Sequence, residues 1–188
     1  CTALTDPVFP DSVTIIDYQA FGYCSSIVNA QLGNSVEIIS IAAFAACTGL
    51  KSINLPTSLK TLDFGAFCFC NSLDNIIIPD GVEIISNQTF QECISMQSVV
   101  LGKNIKQIYD NAFLSCGKLR QVTIQSDITY IALNAFASCS QLTNITLPES
   151  LLTLGSGAFS NCISLTEITI PDQVSVLNAN TFYQCGSL

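Results

Sequence analysis

Ten cysteines in 188 residues carry the widest chemical range in this sequence. Thiols can pair as disulfides, ligate zinc or act as nucleophiles. Nine of them (Cys1, Cys24, Cys47, Cys70, Cys93, Cys116, Cys139, Cys162 and Cys185) recur every 23 residues, and only Cys68 is off the period. If consecutive repeats stack, neighbouring ladder cysteines lie about 4.8 Å apart with parallel Cβ vectors. Their Cβ atoms then stay near that distance, beyond the ~3.8 Å that a disulfide favours. A straight ladder also lacks the four converging ligands of tetrahedral zinc. The spacing therefore favours reduced, buried thiols that pack as small apolar groups, with no metal and no cofactor. A disulfide within the ladder is the open alternative. Cys68 takes an offset filled elsewhere by Gly22, Ala45, Gln91 and Ser160, so it is either a filler or an exposed reactive thiol.

The remaining chemistry is sparse. The chain has no histidine, which removes the commonest general base near neutral pH. It carries no glycine-rich phosphate loop, nucleophile elbow or HExxH motif. Nearby carboxylates such as Asp6 and Asp11 fall at turns, where they serve turn formation and solubility. No catalytic residue is expected. Fourteen Asp and Glu against six Lys and Arg give a net charge of −8, which disfavours a nucleic-acid partner. Four of the cations (Lys103, Lys106, Lys118 and Arg120) cluster in sequence and read as ordinary solvated side chains. No apolar run approaches the ~18–20 residues of a membrane span, so no membrane contact is expected from this segment. The chain opens on Cys1 and stops partway into a repeat at Leu188, and is expected to be part of a longer protein.

Phenylalanine keeps the same period as the thiols, at positions 21, 44, 67, 90, 113, 136, 159 and 182. Such regularity is the signature of a solenoid in which each repeat buries its apolar face only by stacking on its neighbours. Eight rungs follow (1–23, 24–46, 47–69, 70–92, 93–115, 116–138, 139–161 and 162–184), with the start of a ninth. Counting each rung from its cysteine as zero, apolar residues recur at +3, +6, +8, +12, +15, +19 and +20. Leu142, Ile145, Leu147, Leu151, Leu154, Ala158 and Phe159 show the pattern. The two-residue step from +6 to +8 is that of a strand. Pro56, Pro79, Pro148 and Pro171, or Gly33 and Gly102, follow at +9, where proline ends strand pairing. A second short strand fits +12 to +15, and the Ala-Phe and Cys spacing beyond it predicts a helical return. The expected fold is an α/β repeat solenoid. It is a leucine-rich-repeat arc with a parallel sheet on its concave face and short strands with helical turns on its convex side.

The consensus resembles the BspA-like class of leucine-rich repeats, whose unit reads LPxxLxxIxxxAFxxCxxL. Pro148, Leu151, Leu154, Ala158, Phe159, Cys162 and Leu165 match it nearly in full. The chain departs from it at Thr89 and Thr181 in place of Ala, Ile27 and Met96 in place of Leu, and Gln125 in place of Pro. The first rung matches least, with Pro7 at +6. The resemblance implies a bacterial or protist surface antigen engaged in adhesion to a host or self surface protein, placed at the cell surface or outside the cell. Unpaired thiols count modestly against that placement, and a cytoplasmic location stays open.

A strand whose +6 residue faces inward turns +5 and +7 outward. These rows supply the candidate partner-binding residues: Asn29, Ser52, Asn75, Ser98, Gln121 and Asn144 at +5, and Gln31, Asn54, Ile77, Val100, Thr123 and Thr146 at +7. Ile77 and Val100 form an apolar pair within a polar surround, the plan of a protein interface. Their bland reading is simple strand preference. A second patch at +17, formed by Tyr18, Ile41 and Phe64 with Tyr23 and Phe69 near, could contact a partner or a flanking segment. Glycan recognition is the rival class, but neither presumed exposed row carries an aromatic platform. The sequons Asn87-Gln88-Thr89 and Asn144-Ile145-Thr146 are possible glycosylation sites if the chain is secreted. The expected function is a non-catalytic protein-binding module, with a structural spacer or an intracellular scaffold as alternatives. The sequence leaves the oligomeric state undetermined.

Overall fold

A computed structural model describes residues 3–188, so Cys1 of the ladder lies outside the described residues. The chain winds as a parallel β-solenoid with two columns of short strands. The first column holds β2 (Asn29–Gln31), β4 (Ser52–Asn54), β6 (Asn75–Ile77), β8 (Ser98–Val100) and β10 (Gln121–Thr123). The second holds β1 (Ile15–Ile16), β3 (Ile38–Ile39), β5 (Thr61–Leu62) and β7 (Ile84–Ile85). It continues through β9 (Gln107–Ile108), β11 (Tyr130–Ile131) and β12 (Thr153–Leu154). Pairing is parallel between equivalent residues of successive rungs: Asn29 faces Ser52, Gln121 faces Ser98 and Ile15 faces Ile38. In each first-column strand the middle residue is buried between two more exposed neighbours, as the two-residue period requires. At +9, close approach dictates glycine in two of the rungs that lack proline there, and the third carries Gln125. A Cβ on Gly33 would lie 2.6 Å from the Pro10 carbonyl oxygen, and one on Gly102 would lie 2.5 Å from that of Pro79.

The expected helical return is not what forms. No helix occurs among the described residues, and the segment from +16 to +23 is a chain of turns. The reason is a left-handed residue at +18 and another at +22 of each rung: Gln19 and Tyr23, Ala42 and Ala46, Gly65 and Phe69, and so on to Asn180 and Gln184. Each left-handed residue breaks a right-handed helix, and for non-glycine residues costs about 1–2 kcal/mol. The amides show what holds them. Alternate amides close turns within the rung, as in Ala20 to Asp17 (3.0 Å) and Gly22 to Gln19 (2.9 Å). The amides between them donate to the next rung, Gln19 to Ile41 (3.1 Å), Phe21 to Ala43 (2.8 Å) and Tyr23 to Ala45 (2.7 Å). The return thus has its own ladder between rungs, which an α-helix would forfeit by bonding internally.

Inside the return, the phenylalanine rings stack face to face. Successive pairs from Phe21 to Phe182 have centroids 5.1–5.9 Å apart and planes within 11°. The six from Phe44 to Phe159 are fully buried. Phe9 meets Phe21 edge-on at 5.1 Å and closes the stack at its N-terminal end. The two consensus departures at +19 are accommodated by bonding: the buried Thr89 and Thr181 hydroxyls donate to Ser86 and Asn178 carbonyls, both at 2.7 Å. In the first rung Pro7 has no amide to offer, and pairing there shrinks to a single bridge, Val8 with Gln31.

Neither strand column is continuous. The first is cut between β4 and β6, and the second between β5 and β7, so both breaks fall between the Cys47 and Cys70 rungs. Gly81 sits at this seam. At the equivalent offset Ser58 and Ser150 donate to the preceding rung, to the carbonyls of Val36 (2.7 Å) and Ile128 (2.9 Å). Gly81 has no hydroxyl to donate, and the Leu59 carbonyl occupies the space its Cβ would need. The return crosses the seam intact: Gly65, Phe67 and Phe69 amides donate to Asn87, Thr89 and Gln91 at 2.8–3.0 Å, and Phe67 stacks on Phe90. The turns and rings, more than the sheets, carry the continuity of the solenoid.

Truncating one ring inside this stack should open a cavity that its neighbours cannot close. Phe113→Ala is expected to lower stability by about 3–5 kcal/mol, read as a shifted midpoint in urea unfolding.

Candidate functional site

The outward rows fall where the strand period puts them. Asn29, Gln31, Ser52, Asn54, Asn75, Ile77 and Gln121 are exposed on β2, β4, β6 and β10, while Ser98, Val100 and Thr123 are half-buried on β8 and β10. Asn144 and Thr146 are exposed beyond β10, where pairing has thinned to a single bridge from Asn144 to Glu167. All twelve candidates therefore lie along the first column, on its outer side.

Many of the +5 side chains are spent on each other. Asn29 Nδ2 donates to Asp6 Oδ1 (3.0 Å), and Ser52 Oγ donates to Asn29 Oδ1 (2.7 Å). Ser98 Oγ repeats the contact with Asn75 Oδ1 at 2.6 Å. Asn54 turns back to the backbone: its Oδ1 accepts the Leu32 amide (2.8 Å) and its Nδ2 donates to the Leu32 carbonyl (3.1 Å). A hollow of about 830 Å³ lies over Asp6, Asn29, Gln31, Ser52 and Asn54. Val8, Pro7, Ala30, Leu32 and Ile53 complete its lining, and Asp6, Asn29, Ser52 and Asn54 would have to break their bonds to receive a partner.

The second hollow differs in kind. About 670 Å³ in volume, it is lined by Ile77 and Val100 with Leu55, Pro79, Gly102, Asn54, Thr57, Asp80 and Gln125. Ile77 is 69% exposed. A β-branched side chain that open on a paired strand stabilises little of its own fold. The groove crosses the seam between β4 and β6, extends over the paired strands β6 and β8, and continues into the turns after the strands. Sequence rows alone find Ile77, Val100 and Asn54, but not the turn residues Leu55, Thr57, Pro79, Asp80, Gly102 and Gln125. Gln125 in place of the usual proline was the one available hint of the turn's part.

The second patch is also at the surface. Tyr18, Ile41 and Phe64 are exposed on the outer side of the return, as are Tyr23 and Phe69. Sequon Asn87 is half-buried and accepts the Asp110 amide through Oδ1 at 3.0 Å.

The nine described cysteines are free thiols. From Cys47 to Cys185, each ladder Sγ donates to the phenylalanine carbonyl 26 residues earlier, two rungs back, at 3.0–3.4 Å, as Cys93 does to Phe67. Burial, the largest influence, pushes the Cys47, Cys116 and Cys162 thiols up from 9.0 to about 12. It pushes Cys70, Cys93 and Cys139 well above 9.0, and neighbouring thiols add to the effect. Cys68 is half-buried, and burial raises its pKa too, which opposes the reactive reading of that residue. Among the described residues no three His, Cys, Asp or Glu side chains converge to hold a metal ion, and no helix is long and apolar enough to cross a membrane.

Comparison with known proteins follows the same line. The family described as BspA type leucine rich repeat region matches residues 1–79 and 65–188, in six copies. No curated protein matches the chain. Among solved structures, the chain is similar to a leucine rich cell surface protein of Faecalibacterium prausnitzii at 25% identity and a TM-score of 0.62, over 98% of this chain and 65% of that one. It is similar to a leucine rich repeat protein of T. pallidum at 25% identity and a TM-score of 0.57, over 73% and 77% of the two chains. The pneumococcal vaccine antigen PcpA shares the fold at 20% identity, with a TM-score of 0.54 over 80% of this chain and 36% of its own. The chain thus spans about two thirds of the first of these proteins and about a third of the last.

The raised thiols set an alkaline limit. In the unfolded chain they ionise near 9.0, and in the folded chain nearer 12 for Cys47, Cys116 and Cys162. Between those values the unfolded state binds fewer protons, so stability falls as pH rises. The thermal midpoint is expected to hold up to pH 9 and to drop progressively from there toward pH 12, and replacing Cys116 by Ala should lessen the drop.

Proposed function

The chain belongs to the BspA-type leucine-rich-repeat family, and from that premise we propose that it is a non-catalytic protein-binding module of a surface protein, with adhesion as its role. The face it offers is the outer side of the first strand column, and the seam groove at Ile77 and Val100 is the centre of contact. The observation that carries this reading is the exposure of Ile77 within a groove whose rim is polar. An apolar centre that a partner can dehydrate, ringed by hydrogen-bonding groups, is how binding energy concentrates in protein interfaces. Asn75, Ser98, Gln121 and Thr123 flank the centre on β6, β8 and β10, and Asn29, Gln31, Ser52, Asn144 and Thr146 extend the surface to either side. The family is a scaffold fold and no catalytic family is indicated, which agrees with the absence of histidine.

Surface placement is supported by the relatives: one is described as a cell surface protein and another as a vaccine antigen. Free thiols would ordinarily count against an oxidising exterior. Burial answers that objection for the ladder from Cys47 to Cys162, whose thiols it raises above their ordinary range and keeps out of reach of oxidants, while Cys68 and Cys185 are half-buried. An intracellular scaffold would need no such protection.

The test is capture of host and self surface proteins on the immobilised chain, repeated with Ile77→Asp combined with Val100→Asp. A saturable partner retained by the parent chain and lost by the double variant, with thermal unfolding unchanged, is the expected result. Capture that survives both substitutions would remove the groove from the binding site.

A further inference from the structure

The return combines carboxylates, an absence of cations and exposed aromatic rings, and the outward +5 and +7 strand rows carry no aromatic. Across 15–23, 38–46, 61–69, 84–92, 107–115, 130–138, 153–161 and 176–184 there is no Lys or Arg, while Asp17, Asp63, Glu92 and Asp110 all lie there. Lys60, the cation just before β5, is already paired with Glu37 at 3.0 Å. The exposed aromatics share the same turns. Tyr18, Ile41 and Phe64 succeed one another at +17, and Tyr23 and Phe69 stand at +22. Tyr18 and Tyr23 are 62% and 71% exposed, more than the packing of their own rung requires. In the next rungs these columns turn polar or acidic, at Asn87 and Asp110 in one and Glu92 in the other. The exposed aromatics thus cluster on the first three rungs, bordered by carboxylates, with Tyr183 standing apart on the last rung.

Two of those carboxylates are held in place. Asp17 Oδ1 accepts the Tyr18 amide and Asp63 Oδ1 accepts the Phe64 amide, each at 2.7 Å. Each bond fixes a negative group beside an exposed ring and leaves the second carboxylate oxygen for a partner. Aromatic faces attract cations, arginine above all, and carboxylates pair with the same groups. From this charge complementarity we propose that the return face of the first three rungs binds a Lys- and Arg-rich segment of a protein partner, with cations seated between Tyr18, Phe64 and their neighbouring carboxylates. This surface lies on the return, apart from the strand-face groove, and does not rest on that reading.

The probe is an oligoarginine peptide titrated into the isotope-labelled 188-residue chain, followed by amide chemical shifts, with oligoglutamate as the counter-probe. Saturable shifts at Tyr18, Ile41, Phe64 and Phe69 are expected. Affinity should fall about tenfold in Tyr18→Ala with Phe64→Ala, and again in Asp17→Asn with Asp63→Asn, which keeps both turn bonds. A control, Asp6→Asn with Asp11→Asn, removes the same charge from outside the return and should leave affinity unchanged, as should Ile77→Asp with Val100→Asp. The unperturbed part of each spectrum verifies that the variant is folded. Shifts spread over all carboxylates, equal weakening in the Asp6 and Asp11 control, or no binding would overturn the proposal. So would an oligosaccharide that shifts these amides when oligoarginine does not.

Discussion

One carbonyl oxygen per rung holds the solenoid in register. The phenylalanine carbonyl at +20 accepts the amide of the cysteine that opens the next rung, as Phe90 does from Cys93 at 3.2 Å. It then accepts the thiol of the cysteine one rung further on, Cys116, also at 3.2 Å. Both lone pairs of a buried acceptor are satisfied, one through the turn and one between rungs, where a lost partner would carry a desolvation penalty. The ring of the same residue stacks on its neighbours. Ring and carbonyl thus impose one spacing together. A rung longer or shorter by a residue would displace the ring from the stack and the thiol from the oxygen at once.

The strands are freer because of this. Both columns break at the seam beside Gly81 while the return crosses it unbroken. A rung can therefore loosen its sheet contacts without leaving the solenoid, and the apolar groove reaches across this place from the paired strands β6 and β8. The outward +5 side chains add inter-rung bonds at Asn29, Ser52 and Ser98, while the +7 offset is free to vary. Ile77, Gln31 and Thr123 occupy one offset with quite different chemistry, which is the freedom a binding face needs. The left-handed residues of the return are the cost of this arrangement, repaid by the amide ladder they direct toward the next rung.

The repeating parts of this design were legible in the sequence. Phe and Cys recur at fixed offsets because the stack and the shared carbonyl tolerate nothing else, and their columns disclosed the parallel solenoid and the buried thiols. The return was misread as helical for a physical reason. Left-handed positions usually announce themselves as glycine, but here only Gly65 and Gly157 do so, and Gln19, Ala42, Ala46 and Phe69 give no such signal. Spacing of Ala, Phe and Cys fits a turn ribbon as well as a helix. The outward rows were found correctly because strand alternation is simple, yet the mutual bonds that occupy Asn29, Ser52 and Asn75 were not. The columns gave only Ile77, Val100 and Asn54 of the groove, since the rest of its lining comes from turn residues such as Asp80 and Gln125.

The most direct test of the register is a pair of deletions compared by urea unfolding. Removing residues 93–115, one whole rung, joins Glu92 to Cys116 and keeps every ring and thiol in its column. Leaving one residue of that rung behind shifts all later rungs against the earlier ones. The whole-rung deletion is expected to unfold in a single cooperative transition at somewhat lower urea than the parent, and the shorter deletion to lose cooperative unfolding. Two deletions of equal stability would contradict the claim that ring and carbonyl together fix the length of the rung.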